Sequence, residues 1–163
     1  MMSYGKSLVR FGSAIVLAFL ITLPQLAGAY DDSAMEALKP IPEGKAFFDI
    51  NTSLMNNEMF PMVLMGIIQT HDSLVAQGIR PDFVVSFRGM NVAWLAEGTT
   101  DMIKNMIAQL DASGVKIDVC RIPLEWFGVD QATVLPQINI IENGWISSMS
   151  YQSRSKGYAV ITF

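Results

Sequence analysis

From Lys45 onward, short apolar runs alternate with longer helical stretches, and that alternation leaves few folds open. Ala46-Phe47-Phe48-Asp49-Ile50 reads as a first strand, followed by a loop over Asn51 to Asn57. Glu58 to Gln77 reads as a helix, with Pro61 tolerable only in its first turn and Gly78 closing it. Asp82 to Phe87 is a second strand. Thr99-Thr100-Asp101 caps a second helix that runs to about Ser113 and stops at Gly114. Val115 to Cys120 and Ile138 to Ile141 are two more strands, with a short helix expected over Gln131 to Leu135. Asn143-Gly144 reads as a turn, Trp145 to Ser155 as a last helix and Tyr158 to Phe163 as a last strand. Strands that alternate with helices pair in parallel and are covered on both faces. The expected fold is therefore a three-layer α/β domain with a mostly parallel sheet of about five strands.

The first part of the chain does not belong to that pattern. Lys6 and Arg10 precede an apolar run from Phe11 to Leu26, and Ala27-Gly28-Ala29 follows. A basic start, an apolar core and a small-x-small site make up a secretory signal peptide. Its pure core, Ala14 to Leu23, falls short of the ~20 residues that span a bilayer. The expected domains are a signal peptide over 1–29, a flexible arm over 30–44 and the α/β domain over 45–163. Cleavage after Ala29 implies a periplasmic or secreted protein with no stable membrane insertion afterwards.

Composition then narrows the function classes. The chain after Ala29 has 134 residues, enough for a sizeable core. It carries 9 basic and 15 acidic residues, so it lacks the basic footprint of a nucleic-acid binder. Cys120 is the one cysteine, so no disulfide framework exists and the fold stands on its core. No C-x-x-C, no H-E-x-x-H and no phosphate-binding glycine loop occurs, and no cofactor is implied.

In parallel sheets ligands gather at the carboxyl ends of the strands. These ends are Asn51 and Thr52, Arg88 and Gly89, Cys120 and Arg121, and Asn143 and Gly144. Cys120 thus falls where function usually sits, although a small buried strand residue is the plain alternative. A thiol reacts as its thiolate, which a nearby cation favours. Arg88 ends the neighbouring strand on the same rim and is the better partner. Arg121 adjoins Cys120 but projects to the other face if the strand continues. Asn51 and the Asn143-Gly144 turn are candidate hydrogen-bond donors. These residues define an expected reachable thiol at a pocket rim, with Trp94, Trp126 and Trp145 either roofing it or serving as packing.

His71 shares a helix stripe with Leu64, Ile67, Ile68 and Val75 and reads as a packing residue. No Cys-His hydrolase is expected. Met59, Met62 and Met65 recur every three residues. Thioethers bind copper(I), so a soft-metal site with Cys120 or His71 is a minor reading beside core filling or an oligomer face.

Gly114-Val115-Lys116-Ile117-Asp118-Val119-Cys120, Gly128-Val129, Leu135-Pro136 and Asn143-Gly144 follow one another in an order that resembles the DsrE-like (DsrE/DsrF sulfur-relay) family. Gln152, Lys156-Gly157-Tyr158-Ala159, Phe87-Arg88-Gly89 and Val92 to Leu95 extend the resemblance over Lys45 to Phe163. It implies a small three-layer α/β domain that forms homo-oligomers. It also implies that Cys120 matches the cysteine that carries sulfur as a persulfide in relay members. The chain departs from those members in its export signal and in having no second cysteine. Two function classes follow. One is an exported protein that binds or carries a sulfane sulfur or small thiol ligand at Cys120. The other is a non-catalytic binding or interaction module of the same fold.

Overall fold

The computed structural model describes residues 41–51 and 58–163. The expected leader, the cleavage site after Ala29, the arm before Ile41 and the loop from Thr52 to Asn57 lie outside the described residues. Five strands form one sheet: β1 (Glu43–Ile50), β2 (Arg80–Phe87), β3 (Lys116–Cys120), β4 (Asn139–Ile141) and β5 (Ala159–Thr162). Their spatial order is β4-β3-β2-β1-β5 and every pairing is parallel. Among the described residues four helices accompany them: α1 (Met59–Ala76), α2 (Asp101–Ala112), α3 (Arg121–Trp126) and α4 (Gly144–Gln152).

The chain order explains the layers. From β1 to β3 each strand is laid beside the last in one direction, so right-handed crossovers place α1 and α2 on the same face. The step from β4 to β5 travels back across the sheet, and the same handedness puts α4 on the other face. Alternation along the strands matches this split. Phe48, Ile50, Phe83, Val85, Phe87, Ile117 and Val119 join Phe60, Leu64 and Ile67 of α1 and Ile103, Ile107 and Leu110 of α2 in one core. Phe60 packs against Phe87 and Phe48 against Phe83, at centroid distances of 5.6 and 5.0 Å.

The helix ends follow the expected chemistry. The Thr100 hydroxyl accepts from the Ile103 N–H at 3.4 Å, capping α2. Gly78 adopts φ 75° after α1, and the next N–H, of Ile79, reaches the Leu74 carbonyl at 3.0 Å.

Several boundaries differ from the sequence expectation. β1 begins at Glu43, so Glu43 and Gly44 belong to the sheet and not to the arm. β2 begins at Arg80 for the same reason. Both extensions are polar, and they are joined by parallel pairing and by the Arg80–Glu43 and Lys45–Asp82 ion pairs. The segment after Cys120, for which no element was expected, forms α3, six residues with Pro123 in its first turn. That is too short for a helical pattern to show. Asn143-Gly144 is no turn. Asn143 is the cap of α4, accepting from the N–H groups of Trp145 and Ile146 at 3.0 and 3.2 Å, and Gly144 is its first residue. The helix ends at Gln152 rather than Ser155, β5 spans Ala159–Thr162, and only Gln131–Thr133 form a 3-10 turn where a helix to Leu135 was expected.

Candidate functional site

The face of the sheet under α4 sets a polar row beside the buried Phe47 and Val84, unlike the apolar face under α1 and α2. In register across four strands lie Asp49, Ser86, Asp118 and Asn139, with Thr162 beside Asp49 on the far edge. Asp49, Ser86 and Asp118 are buried. Buried polar groups need partners. Asp49 receives both the Nε and an Nη of Arg88, the former at 2.7 Å, in a forked pair with both side chains buried. Ser148 of α4 reaches Asp49 Oδ2 at 3.4 Å and accepts from Gln152 at 3.1 Å.

Asp118 holds Lys116, two residues away on the same face, at 2.7 Å. Burial works against the charge on Lys116, but the hydrogen bond and charge of Asp118, with a smaller contribution from Tyr151, outweigh it and raise its pKa. Ser86 Oγ and Asp118 Oδ1 have no hydrogen-bond partner among the described residues.

Cys120 lies at the carboxyl end of β3 on this same face and is 0% exposed. The expectation of a reachable thiol at a rim is therefore overturned. The cause is Gly144. Its N–H donates to Cys120 Sγ at 3.1 Å, and its backbone closes over the sulfur. A Cβ at Gly144 would stand 2.7 Å from Arg88 Cδ, 2.8 Å from Arg88 Cγ and 3.0 Å from Cys120 Cβ, so only glycine seats here without displacement.

The structure thus brings Arg88, Cys120 and Gly144 together, with Asn143 capping the helix that carries Gly144. Gly89 follows Arg88 and opens a 3-10 turn over Met90–Leu95. Asn51 is exposed at the end of β1, where its N–H donates to the Phe163 carbonyl at 3.1 Å. Arg121 is turned away, because it starts α3 instead of continuing the strand. It bridges Glu142 and Glu125, whose hydrogen bonds and charges raise its pKa.

Trp145 and Trp126 lie outside the buried layer, 6.0 Å apart and tilted, with 40% and 68% exposure. The Arg88 guanidinium sits 5.4 Å from the Trp145 ring centre. Met90, Phe127, Ile146 and Met149 are also exposed. Trp94 is excluded from this group, since it packs against the main core. Met59, Met62 and Met65 are exposed on α1, across the sheet from Cys120, and His71 packs edge-on to Phe83 at 6.0 Å. The soft-metal constellation with Cys120 is therefore not assembled. Among the described residues no cluster of three His, Cys, Asp or Glu side chains suits a metal ion.

Sequence reading missed Asp49, Ser86, Asp118 and Ser148. A signal existed: Phe48-Asp49-Ile50, Val85-Ser86-Phe87 and Ile117-Asp118-Val119 each place one polar residue inside an apolar strand.

No protein-family model matches the chain, and no curated protein matches it. Solved structures do. Protein MTH1491 of unknown function from Methanobacterium thermoautotrophicum superposes with a TM-score of 0.58 at 18% identity, covering 74% of this chain and 99% of its own. The ychN protein from E. coli gives 0.56 at 14% identity, covering 74% and 99%. Protein BT1422 of unknown function from Bacteroides thetaiotaomicron gives 0.55 at 16%, covering 77% and 98%. The fold is DsrE-like. At these identities the likeness concerns architecture, and function has to come from the site.

Proposed function

We propose that this protein is an exported binding or interaction module built on the DsrE-like fold. The exposed pair Trp126 and Trp145, at the carboxyl ends of the strands, carries this reading. Tryptophan and methionine exposed in one patch are expensive for a soluble surface and common where partners dock. Arg88, fixed from below by Asp49, supports one ring from its inner side. The second exposed set, Met59, Met62 and Met65, supports assembly with copies of the same chain. The test is capture from the protein's own compartment with the wild type and with Trp126→Ala/Trp145→Ala. The double variant should retain its circular dichroism and lose a species that the wild type holds. An unchanged captured set would sink the reading.

A second reading, sulfur handling at Cys120, is favoured by the Gly144 N–H that donates to Sγ. A backbone donor aimed at sulfur suits a bound sulfane sulfur or small thiol ligand held there. Intact mass of the purified exported protein, before and after cyanide, reads this directly. One sulfur atom of extra mass, removed by cyanide, is expected. A bare thiol that stays bare after polysulfide treatment excludes it.

A further inference from the structure

We propose that the first turn of α4 is a hinged cover over Cys120, and that the thiol reacts through local opening of this turn, not through global unfolding. The sulfur reading enters only in the use made of the open state.

The underside of α4 is the first ground. Gly144 and Ser148 are its buried residues, and neither buries a large apolar side chain. Trp145, Ile146 and Met149 face outward at 40%, 60% and 63% exposure. Below the helix lie Asp49, Ser86 and Asp118, of which Ser86 Oγ and Asp118 Oδ1 have no partner among the described residues. Apolar burial is what holds most helices to their sheets, and little of it acts under the first turn of α4. Elements with few buried apolar contacts open at free energies below that of the whole domain.

The two ends of α4 differ, and that gives the hinge. Its C-terminal half is fastened by Tyr151, stacked on Phe47 at 4.9 Å and met edge-on by Tyr158 at 4.8 Å. Its first turn is held to the sheet by the Gly144 N–H to Cys120 Sγ contact and by Trp145 on Arg88. The Asn143 cap travels with the helix, so the turn can lift without losing its own end hydrogen bonds. Lifting it would uncover Cys120 and the stem of Arg88 together. The outward Trp145, Ile146 and Met149 give a docking partner a handle on that equilibrium, since a ligand that prefers the open state shifts it by its difference in affinity.

Native-state alkylation of the single cysteine by iodoacetamide, followed by intact mass across urea concentrations below the unfolding transition, tests this. The rate should lie ~10²–10⁴-fold below that of a model thiol, an opening of about 3–6 kcal/mol at 1.4 kcal/mol per factor of ten. Its urea dependence should be less than about half that of global unfolding, because the slope scales with exposed surface. Trp145→Ala should speed the reaction about five-fold or more without moving the global midpoint by a matching amount. Gly144→Ala, which pushes on Arg88 and Cys120, serves as the second variant. A rate that follows global unfolding with its full urea slope overturns the cover, as does reaction at the model-thiol rate. Slow, weakly urea-dependent reaction in a protein that never takes up sulfur leaves the cover standing and removes the sulfur reading alone.

Discussion

Arg88 closes over Asp49 in a forked ion pair between neighbouring strand ends, with 8% and 4% of the two side chains exposed. Asp49 is the penultimate residue of β1, and Arg88 follows the last residue of β2. The pair lies between the buried layer and the aromatic patch. It fixes the guanidinium that packs on Trp145, and its stem forms one wall of the seat for Gly144. A cation expected to serve the thiol is therefore committed to a carboxylate instead.

Breaking this pair should be costly. Asp49→Ala leaves a buried guanidinium unpaired, which destabilises by about 3–5 kcal/mol. Asp49→Leu with Arg88→Met removes both charges and should recover most of that loss. Urea denaturation of the two variants measures the difference. Equal losses would show that the pair is not the main determinant at this position.

The cap of α2 makes a smaller prediction. Thr100→Ala removes the acceptor for the Ile103 N–H and should cost about 1 kcal/mol, with Thr100→Asp close to wild type. The shift of the denaturation midpoint at unchanged slope checks it.

Tyr158 gives a pH dependence. Burial, followed by its 2.8 Å hydrogen bond to Asp82 and the charge of that carboxylate, holds its pKa well above the ordinary phenol value. The folded protein thus keeps this proton more tightly than the unfolded chain. The associated stability is fully present below about pH 10 and is lost as pH rises further, because the unfolded phenol ionises first. Lys116, also raised, acts in the same direction. Tyr158→Phe should be less stable than wild type at pH 8 and show a shallower decline between pH 9.5 and 11. Parallel stability curves for the two proteins would contradict the assignment.

The architecture was legible because parallel strands buried between layers are written as apolar runs. Asp82 to Phe87 and Val115 to Cys120 could be placed within a residue or two. The capping chemistry of Thr100 and Gly78 was legible for the same local reason. The site was legible only in part. Strand ends pointed to Arg88, Cys120 and Gly144, yet burial of the thiol depends on the close approach of Gly144, which is a tertiary contact between residues 24 apart. The ion pairs of Arg121 with Glu125 and Glu142 were not legible, because six residues of α3 leave no readable pattern. The polar row across the sheet needs the pairing register, which no single strand contains.

Met62 and Met65, 64% and 42% exposed on the outer face of α1, lead to the last prediction. Met62 lines an apolar groove of about 280 Å³ with Met59, Val63, Gly66 and Phe163. A patch of this kind is more often an interface than a bare surface, and methionine adapts to a facing copy. Wild-type protein should therefore show an assembly mass by light scattering at micromolar concentration. Met62→Lys/Met65→Lys should shift it to the monomer while keeping its circular dichroism, since neither side chain belongs to the buried core. A monomeric wild type would remove the interface. The same pair tests the minor metal reading. Copper(I) uptake in the wild type that disappears in the double variant would assign these thioethers as ligands, and equal or absent uptake in both would dismiss that role.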